Sequence, residues 1–305
     1  MPNSVEQNIN EFLDIEILNK LPSLDVKARY LVEGFLKGLH KSPFRGSSVE
    51  FKEYRSYQPG DSLKLIDWKV YGRTDRLNIR LRDDETNMNV YLLLDSSASM
   101  SYKGEKSAMS KWDYSISLAA ALMLFLMKQN DAFTLSLVAN HLKDFLRPSS
   151  KRSHFNTLLS RLCLQPNDQN CDLPKAISEL CGVVRRRSIV IIISDFYGDL
   201  KVLNNQLKEL AYLNCEPIFF NVMDNSELNF DFDEPVLLSD LESGSKLHLS
   251  PEVVRKKYLE NLNAHLLELE RIVSSVGGEY LLLNTSIPPL KALGKYLYVR
   301  SEKFK

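Results

Sequence analysis

Short apolar runs alternate with helical patterns over most of this sequence, from about residue 87 onward. Residues 90–94 and 189–193 are continuous apolar runs, which is typical of strands covered on both faces. The same patterns predict strands at 133–139, near 141–146, at 216–222 and at 279–283, and helices at 112–128, 151–163, 172–185, 199–212 and 251–276. This alternation predicts a doubly wound, mainly parallel α/β sheet with right-handed crossovers.

The first 86 residues follow a different pattern. Two helices come first, and Ser23 is suited to cap the second of them. Residues 42–86 are polar, aromatic and charged, with one short alternating segment that is typical of a half-exposed strand. We therefore predict an N-terminal extension over residues 1–86 and an α/β domain over 87–305, with a hairpin inserted near 235–249.

Charge and composition exclude several classes of partner. The chain has 39 Lys and Arg residues and 39 Asp and Glu residues, so it has no net positive field to attract nucleic acid. No secretory signal begins the sequence, and its longest apolar run, residues 118–127, is too short to cross a bilayer. We expect a cytoplasmic protein with no transmembrane segment and no nucleic-acid partner.

Polar residues follow two of the predicted buried strands. Asp95-Ser96-Ser97-Ala98-Ser99 follows the first strand, and Asp195 follows the strand at 189–193. The carboxyl ends of parallel strands form a binding crevice, and carboxylate and hydroxyl oxygens suit a hard cation such as Mg²⁺ or Mn²⁺. The predicted metal ligands are Asp95, Ser97, Ser99 and Asp195, and an open position on the ion would attract another molecule's carboxylate. The alternative is that the two serines only cap the turn that follows.

These residues resemble those of known families. Asp95–Ser99 with Asp195 resembles the metal-ion-dependent adhesion site of von Willebrand factor A-like domains. An upstream block contains the segments Arg45-Gly46-Ser47-Ser48-Val49-Glu50-Phe51, Tyr57-Gln58-Pro59-Gly60-Asp61 and Ile66-Asp67-Trp68-Lys69. This block resembles the domain-of-unknown-function 58 family, bacterial proteins whose C-terminal part is an A-like domain. The resemblance implies an A-like fold with a bound divalent cation.

The same resemblance implies a threonine ligand that this chain lacks. The family's threonine lies in a Gly-Thr-Asp-Leu-like segment, and the matching residues here are Asn170-Cys171-Asp172-Leu173. A neutral thiol such as that of Cys171 is a poor ligand for Mg²⁺. Asp172 is a possible substitute, and Thr157 is another candidate donor, so the fifth ligand stays open.

Residues 45–86 mix both signs of charge with aromatic side chains. One interpretation is a docking face for a protein partner, since Arg, Tyr and Trp are frequent at interface hot spots. The other, favoured by the balance of charges, is an internal clamp in which arginines pair with carboxylates. The candidate partner-binding residues of this segment are Arg55, Tyr57, Asp61, Trp68 and Arg73.

The sequence favours a non-enzymatic role. It has no phosphate-binding glycine loop, dinucleotide fingerprint or nucleophile elbow. A Mg²⁺-dependent phosphatase with Asp95 as nucleophile would normally have a second carboxylate where Ser97 stands. We expect an adaptor that binds a protein through its metal site, and the resemblance implies a MoxR-type AAA+ ATPase as partner in complex assembly or maturation. The alternative is an interaction protein with a vestigial metal site that binds through the 45–86 face.

Overall fold

The computed structural model describes residues 18, 20–41, 54–57, 68–80, 89–143, 145–163, 171–230, 236–239, 246–249, 251–289 and 294. The chain divides into two compact units, one of Met1–Leu36 with Met88–Lys305 and one of Lys37–Asn87. The described strands are β1 (Tyr54–Ser56), β2 (Asn78–Arg80), β3 (Asn89–Asp95), β4 (Ala132–Val138), β5 (Leu142–Lys143), β6 (Ile189–Ser194), β7 (Glu216–Met223), β8 (Val236–Ser239), β9 (Lys246–Leu249) and β10 (Glu279–Asn284). The described α-helices are α1 (Leu24–Lys41), α2 (Trp68–Thr74), α3 (Lys111–Lys128), α4 (Arg152–Leu162), α5 (Leu173–Cys181), α6 (Leu200–Tyr212), α7 (Asn225–Asn229) and α8 (Pro251–Ser275).

Six strands form one sheet in the order β10-β7-β6-β3-β4-β5. Neighbouring strands are parallel except β4 with β5, which are antiparallel. Helices cover both faces, since α1, α3 and α4 share one hydrophobic core with the sheet, and α5, α6 and α8 share the other. The predicted doubly wound, mainly parallel α/β fold is therefore confirmed.

Strand β3 lies in the interior of this sheet and shows why its sequence is continuously apolar. Leu92 and Leu94 belong to the core on the α3 face, whereas Tyr91 and Leu93 belong to the core on the opposite face. Helix α3 is apolar almost all round because most of its side chains are buried. No helix in the described part of the chain is long and apolar enough to cross a bilayer.

Several element boundaries differ from the sequence predictions. Helix α5 ends at Cys181 rather than near residue 185, and the N–H groups of Gly182 and Val183 bond to the carbonyls three residues back, as in a 3₁₀ turn. The strand predicted near 141–146 is the two-residue β5, and the short helix α7 was not predicted. Within the range 235–249, where a hairpin is predicted, β8 and β9 pair in antiparallel fashion.

The N-terminal residues show how the predicted extension is built. Ser23 caps α1 as expected, accepting a hydrogen bond from the N–H of Val26 at 3.4 Å. Leu24 and Leu31 of α1 are buried in the core on the α3 face, so residues 24–36 of this helix belong to the unit that contains the sheet. In the second unit, β1 and β2 pair in antiparallel fashion and confirm the predicted strand around residue 79.

Candidate metal-binding site

The predicted ligands meet at the carboxyl edge of the sheet. Strands β3 and β6 are parallel neighbours, with Leu94 opposite Ile193, so the residues that follow both strands lie side by side. Asp95 and Asp195 are almost fully buried, with exposed fractions of 3% and 4%. The sheet therefore brings together two carboxylates that are 100 positions apart in the sequence.

Hydrogen bonds hold the Asp95 carboxylate in one orientation. Its Oδ1 accepts the N–H of Ser97 at 2.8 Å, and its Oδ2 accepts the hydroxyl of Ser194 at 2.6 Å. Burial raises the pKa of Asp95 above its ordinary value, and the nearby charge of Asp195 raises it further. A divalent cation at this position would favour the ionised form of both carboxylates.

The two serine hydroxyls lie next to the carboxylates and fit a small divalent cation. Ser97 Oγ is 3.0 Å from Ser99 Oγ, and the Ser99 hydroxyl donates to Asp195 Oδ2 at 2.8 Å. The 3.0 Å between the two hydroxyl oxygens is a hydrogen-bond distance, and it is also the spacing of adjacent ligands of an octahedral Mg²⁺ with bonds of about 2.1 Å. Ser97 precedes a short 3₁₀ helix at Ala98–Ser101 but makes no capping hydrogen bond through its side chain.

A strained turn fixes the second carboxylate. Phe196, directly after Asp195, has a left-handed backbone with φ of 56°, which is unusual for a bulky residue. Its N–H donates to Ser194 Oγ at 3.0 Å, and its ring stacks on Phe219 with ring centroids 4.5 Å apart. Such strain persists where the surroundings impose it and is frequent at functional sites.

Lys111, which the sequence analysis did not select, lies beside the predicted ligands. Its Nζ donates to Asp195 Oδ2 and to Glu227 Oε1, both at 2.9 Å, and the side chain is 1% exposed. The rings of Tyr102 and Tyr197 lie 5.8 and 5.7 Å from the same nitrogen. Burial by itself would lower the pKa of Lys111, but the two carboxylates outweigh burial and raise it above its ordinary value. The lysine is therefore charged at neutral pH.

Asp224 joins the loop after the predicted metal ligands to the ends of two strands. It is fully buried, and its oxygens accept hydrogen bonds from the N–H groups of Gly104 and Ser226 and from the hydroxyls of Ser107, Ser226 and Thr285. A Cβ at residue 104 would collide with Asp224 Oδ1, so glycine is required there. Burial alone would raise the pKa of Asp224, but these hydrogen bonds, above all that from Ser107, hold it below its ordinary value.

Replacing Asp224 with asparagine is expected to lower the free energy of unfolding by about 1–3 kcal/mol at pH 7, because an amide cannot accept all of these hydrogen bonds. The depressed pKa means that wild type keeps this stabilisation above pH of about 4 and loses it as the pH falls through the folded-state pKa. In urea denaturation between pH 3 and 7, the difference in free energy of unfolding between the two proteins should narrow below pH of about 4. Asp199→Asn, at the exposed cap of α6, is the control, and a constant difference for Asp224→Asn across that range would contradict the account.

The remaining candidates for the fifth ligand are engaged elsewhere. Asp172 caps α5, where its Oδ1 accepts the N–H of Lys175 at 3.0 Å, and Cys171 before it is half-buried. Thr157 is exposed on α4, and its hydroxyl donates to the carbonyl of Ser153. Within the described residues, no group of three or more His, Cys, Asp and Glu side chains forms a metal cluster. The fifth ligand stays open.

The candidate partner-binding residues lie in the second unit. Arg55 is in β1, and the backbone N–H of Tyr57 donates to the carbonyl of Leu77 at 2.8 Å. Trp68 is 62% exposed at the start of α2, and Arg73 is exposed at its end. Asp61 lies outside the described residues. Whether these residues contact a partner stays a prediction.

Sequence similarity identifies the family of this chain. The family model described as protein of unknown function DUF58 matches residues 53–267. The chain belongs to this DUF58 family. This match confirms the predicted resemblance to the DUF58 family. Uncharacterized proteins Mb1516 of Mycobacterium bovis and Rv1480 of Mycobacterium tuberculosis are each 28% identical to it over 277 residues, covering 89% of this chain and 86% of theirs.

Two solved structures align with most of this chain at low sequence identity. The conserved hypothetical protein BatB from Bacteroides thetaiotaomicron is 16% identical, covers 71% of this chain and 99% of its own, and has a TM-score of 0.45. The SpRpn10 VWA domain is 12% identical, covers 68% of this chain and 93% of its own, and has a TM-score of 0.42.

Proposed function

We propose that this chain is a non-enzymatic adaptor that binds a protein partner through a Mg²⁺- or Mn²⁺-dependent site formed by Asp95, Ser97, Ser99 and Asp195. The observation that carries the proposal is the pair of hydroxyl oxygens 3.0 Å apart beside two buried carboxylates at one edge of the sheet. The ion would supply a positive centre for a partner's carboxylate. Asp95 and the two serines would hold the ion, and Asp195 would complete the site while accepting the hydrogen bond of the Ser99 hydroxyl.

The proposed partner is a MoxR-type AAA+ ATPase, and the proposed process is cytoplasmic complex assembly or maturation. Both follow from the resemblance to the DUF58 family, to which the chain belongs. A phosphatase is disfavoured because Ser97, whose hydroxyl is 3.0 Å from that of Ser99, stands where such an enzyme would have its acid/base carboxylate.

Binding to a MoxR-type ATPase of the same organism tests this proposal. Because the ATPase itself uses Mg²⁺, the comparison is between wild type and Asp95→Asn in one Mg²⁺-containing buffer rather than with and without a chelator. We expect Asp95→Asn to weaken binding at least tenfold, with no phosphatase activity in either protein. Wild-type binding that Asp95→Asn leaves intact would contradict a metal-dependent interface.

A second candidate function is binding of the protein partner through the 45–86 face, with a vestigial metal site that takes no part in the interaction. The exposed indole of Trp68, which meets Tyr71 edge to face at 6.1 Å, favours this surface as a contact region. The same assay separates the two candidates. Loss of binding in Trp68→Ala together with full binding in Asp95→Asn would select the 45–86 face.

A further inference from the structure

Lys111 places a fixed positive charge next to the proposed metal site. Asp195 Oδ2 accepts both the Lys111 ammonium at 2.9 Å and the Ser99 hydroxyl at 2.8 Å. Since both contacts end on one oxygen, the ammonium nitrogen lies no more than about 6 Å from Ser99 Oγ. An ion bonded to Ser99 at about 2.1 Å would lie within about 8 Å of that nitrogen.

The structure prevents this charge from moving away. The Lys111 ammonium is also bonded to Glu227 and lies near the rings of Tyr102 and Tyr197. Its backbone is fixed as well, because Ser110 caps α3 and the N–H of Lys111 donates to the carbonyl of Tyr102. A charge that is 1% exposed is screened far less by salt than a surface lysine.

We infer that Lys111 sets the affinity of this site for a divalent cation, keeping it low until a partner's carboxylate adds negative charge. The inference rests on the proposed function, whose ion and partner it concerns. Like charges repel strongly at this separation in a partly buried site, so the lysine opposes the binding of a cation. The same charge attracts an incoming carboxylate, so binding of the ion and of the partner is coupled. Glu227 offsets part of the lysine's charge and acts in the opposite direction.

Calorimetric titration of Mg²⁺ alone tests this inference through the sign of the change in affinity. Lys111→Met should bind Mg²⁺ at least about tenfold more tightly than wild type, because a repelling charge is gone. Glu227→Gln should bind Mg²⁺ more weakly, because the lysine's charge is then less compensated. Lys128→Met removes the same charge from the exposed far end of α3 and should leave the affinity unchanged.

A purely structural role for Lys111 gives the opposite result. Loss of the bond to Asp195 would then disorder a ligand, and Lys111→Met would bind Mg²⁺ more weakly. Wild-type binding with unchanged or weaker binding by Lys111→Met overturns this inference and leaves the proposed function standing. Absence of binding in both proteins overturns the proposed function and the inference together. Circular dichroism confirms that each protein is folded before its titration. If Lys111→Met does not fold, Glu227→Gln alone decides, and unchanged or tighter Mg²⁺ binding by that variant overturns the inference.

Discussion

Replacing Lys111 with methionine is expected to lower the free energy of unfolding by about 3–5 kcal/mol, the cost typical of removing one partner from a buried ion pair. Methionine fills much of the same volume, so the loss is electrostatic rather than a cavity. Asp195 and Glu227, which are 4% and 17% exposed, would lose the ammonium that bonds to both. Urea denaturation at pH 7, followed by circular dichroism, measures the change.

Two further variants assign this loss to the ion pairs. Lys128→Met, at the exposed end of the same helix, should stay within about 0.5 kcal/mol of wild type. The double variant Lys111→Met/Glu227→Gln should lower the free energy of unfolding by less than the sum of the two single variants, because it removes one of the carboxylates left without a partner. A change below about 1 kcal/mol for Lys111→Met would show that the lysine does not stabilise the fold in this way.

Replacing Asp95 with asparagine is expected to weaken Mn²⁺ binding at least about 100-fold. Changes in residues that only support metal ligands already cost 10–100-fold, and Asp95 is proposed to provide a charged oxygen directly at the site. In wild type both carboxylate oxygens accept hydrogen bonds, from Ser97 and Ser194. Asparagine replaces one of these acceptor oxygens with an amide nitrogen, which cannot accept a hydrogen bond. Electron paramagnetic resonance of free Mn²⁺ measures the affinity.

The control and the open fifth ligand are tested in the same titration. Asp199→Asn changes a carboxylate that caps α6 and should leave Mn²⁺ binding unchanged. Asp172→Asn decides whether Asp172 belongs to the ligand set, since asparagine also caps helices well and a fall in affinity would then reflect lost coordination. Equal affinities for wild type and Asp95→Asn would remove Asp95 from the site.

The strands that helices cover on both faces of the sheet were predictable from the sequence. Strands β3 and β6 are covered by helices on either side, so every position in their centres is apolar and their residues stand out as continuous runs. The polar residues directly after these runs were then expected at one sheet edge. The structure brings Asp95, Ser97, Ser99 and Asp195 together as that reasoning predicted.

The buried charges around these ligands were not predicted, because their partners are remote in sequence. Lys111 is 84 positions from Asp195 and 116 from Glu227, and a lysine at the start of a helix normally points into solvent. Glu227 belongs to the five-residue helix α7, which is too short to show a helical period. One local signal was present, since Asp224 and Glu227 have the spacing of a capping box and do form one.

A calorimetric titration of Mg²⁺ into the wild-type protein tests the central claim most directly. The account predicts a saturable heat for one site at or below millimolar Mg²⁺, and no such heat for Asp95→Asn. The absence of metal-dependent heat at millimolar Mg²⁺ and Mn²⁺ in both folded wild type and folded Lys111→Met would contradict a metal site at Asp95, Ser97, Ser99 and Asp195.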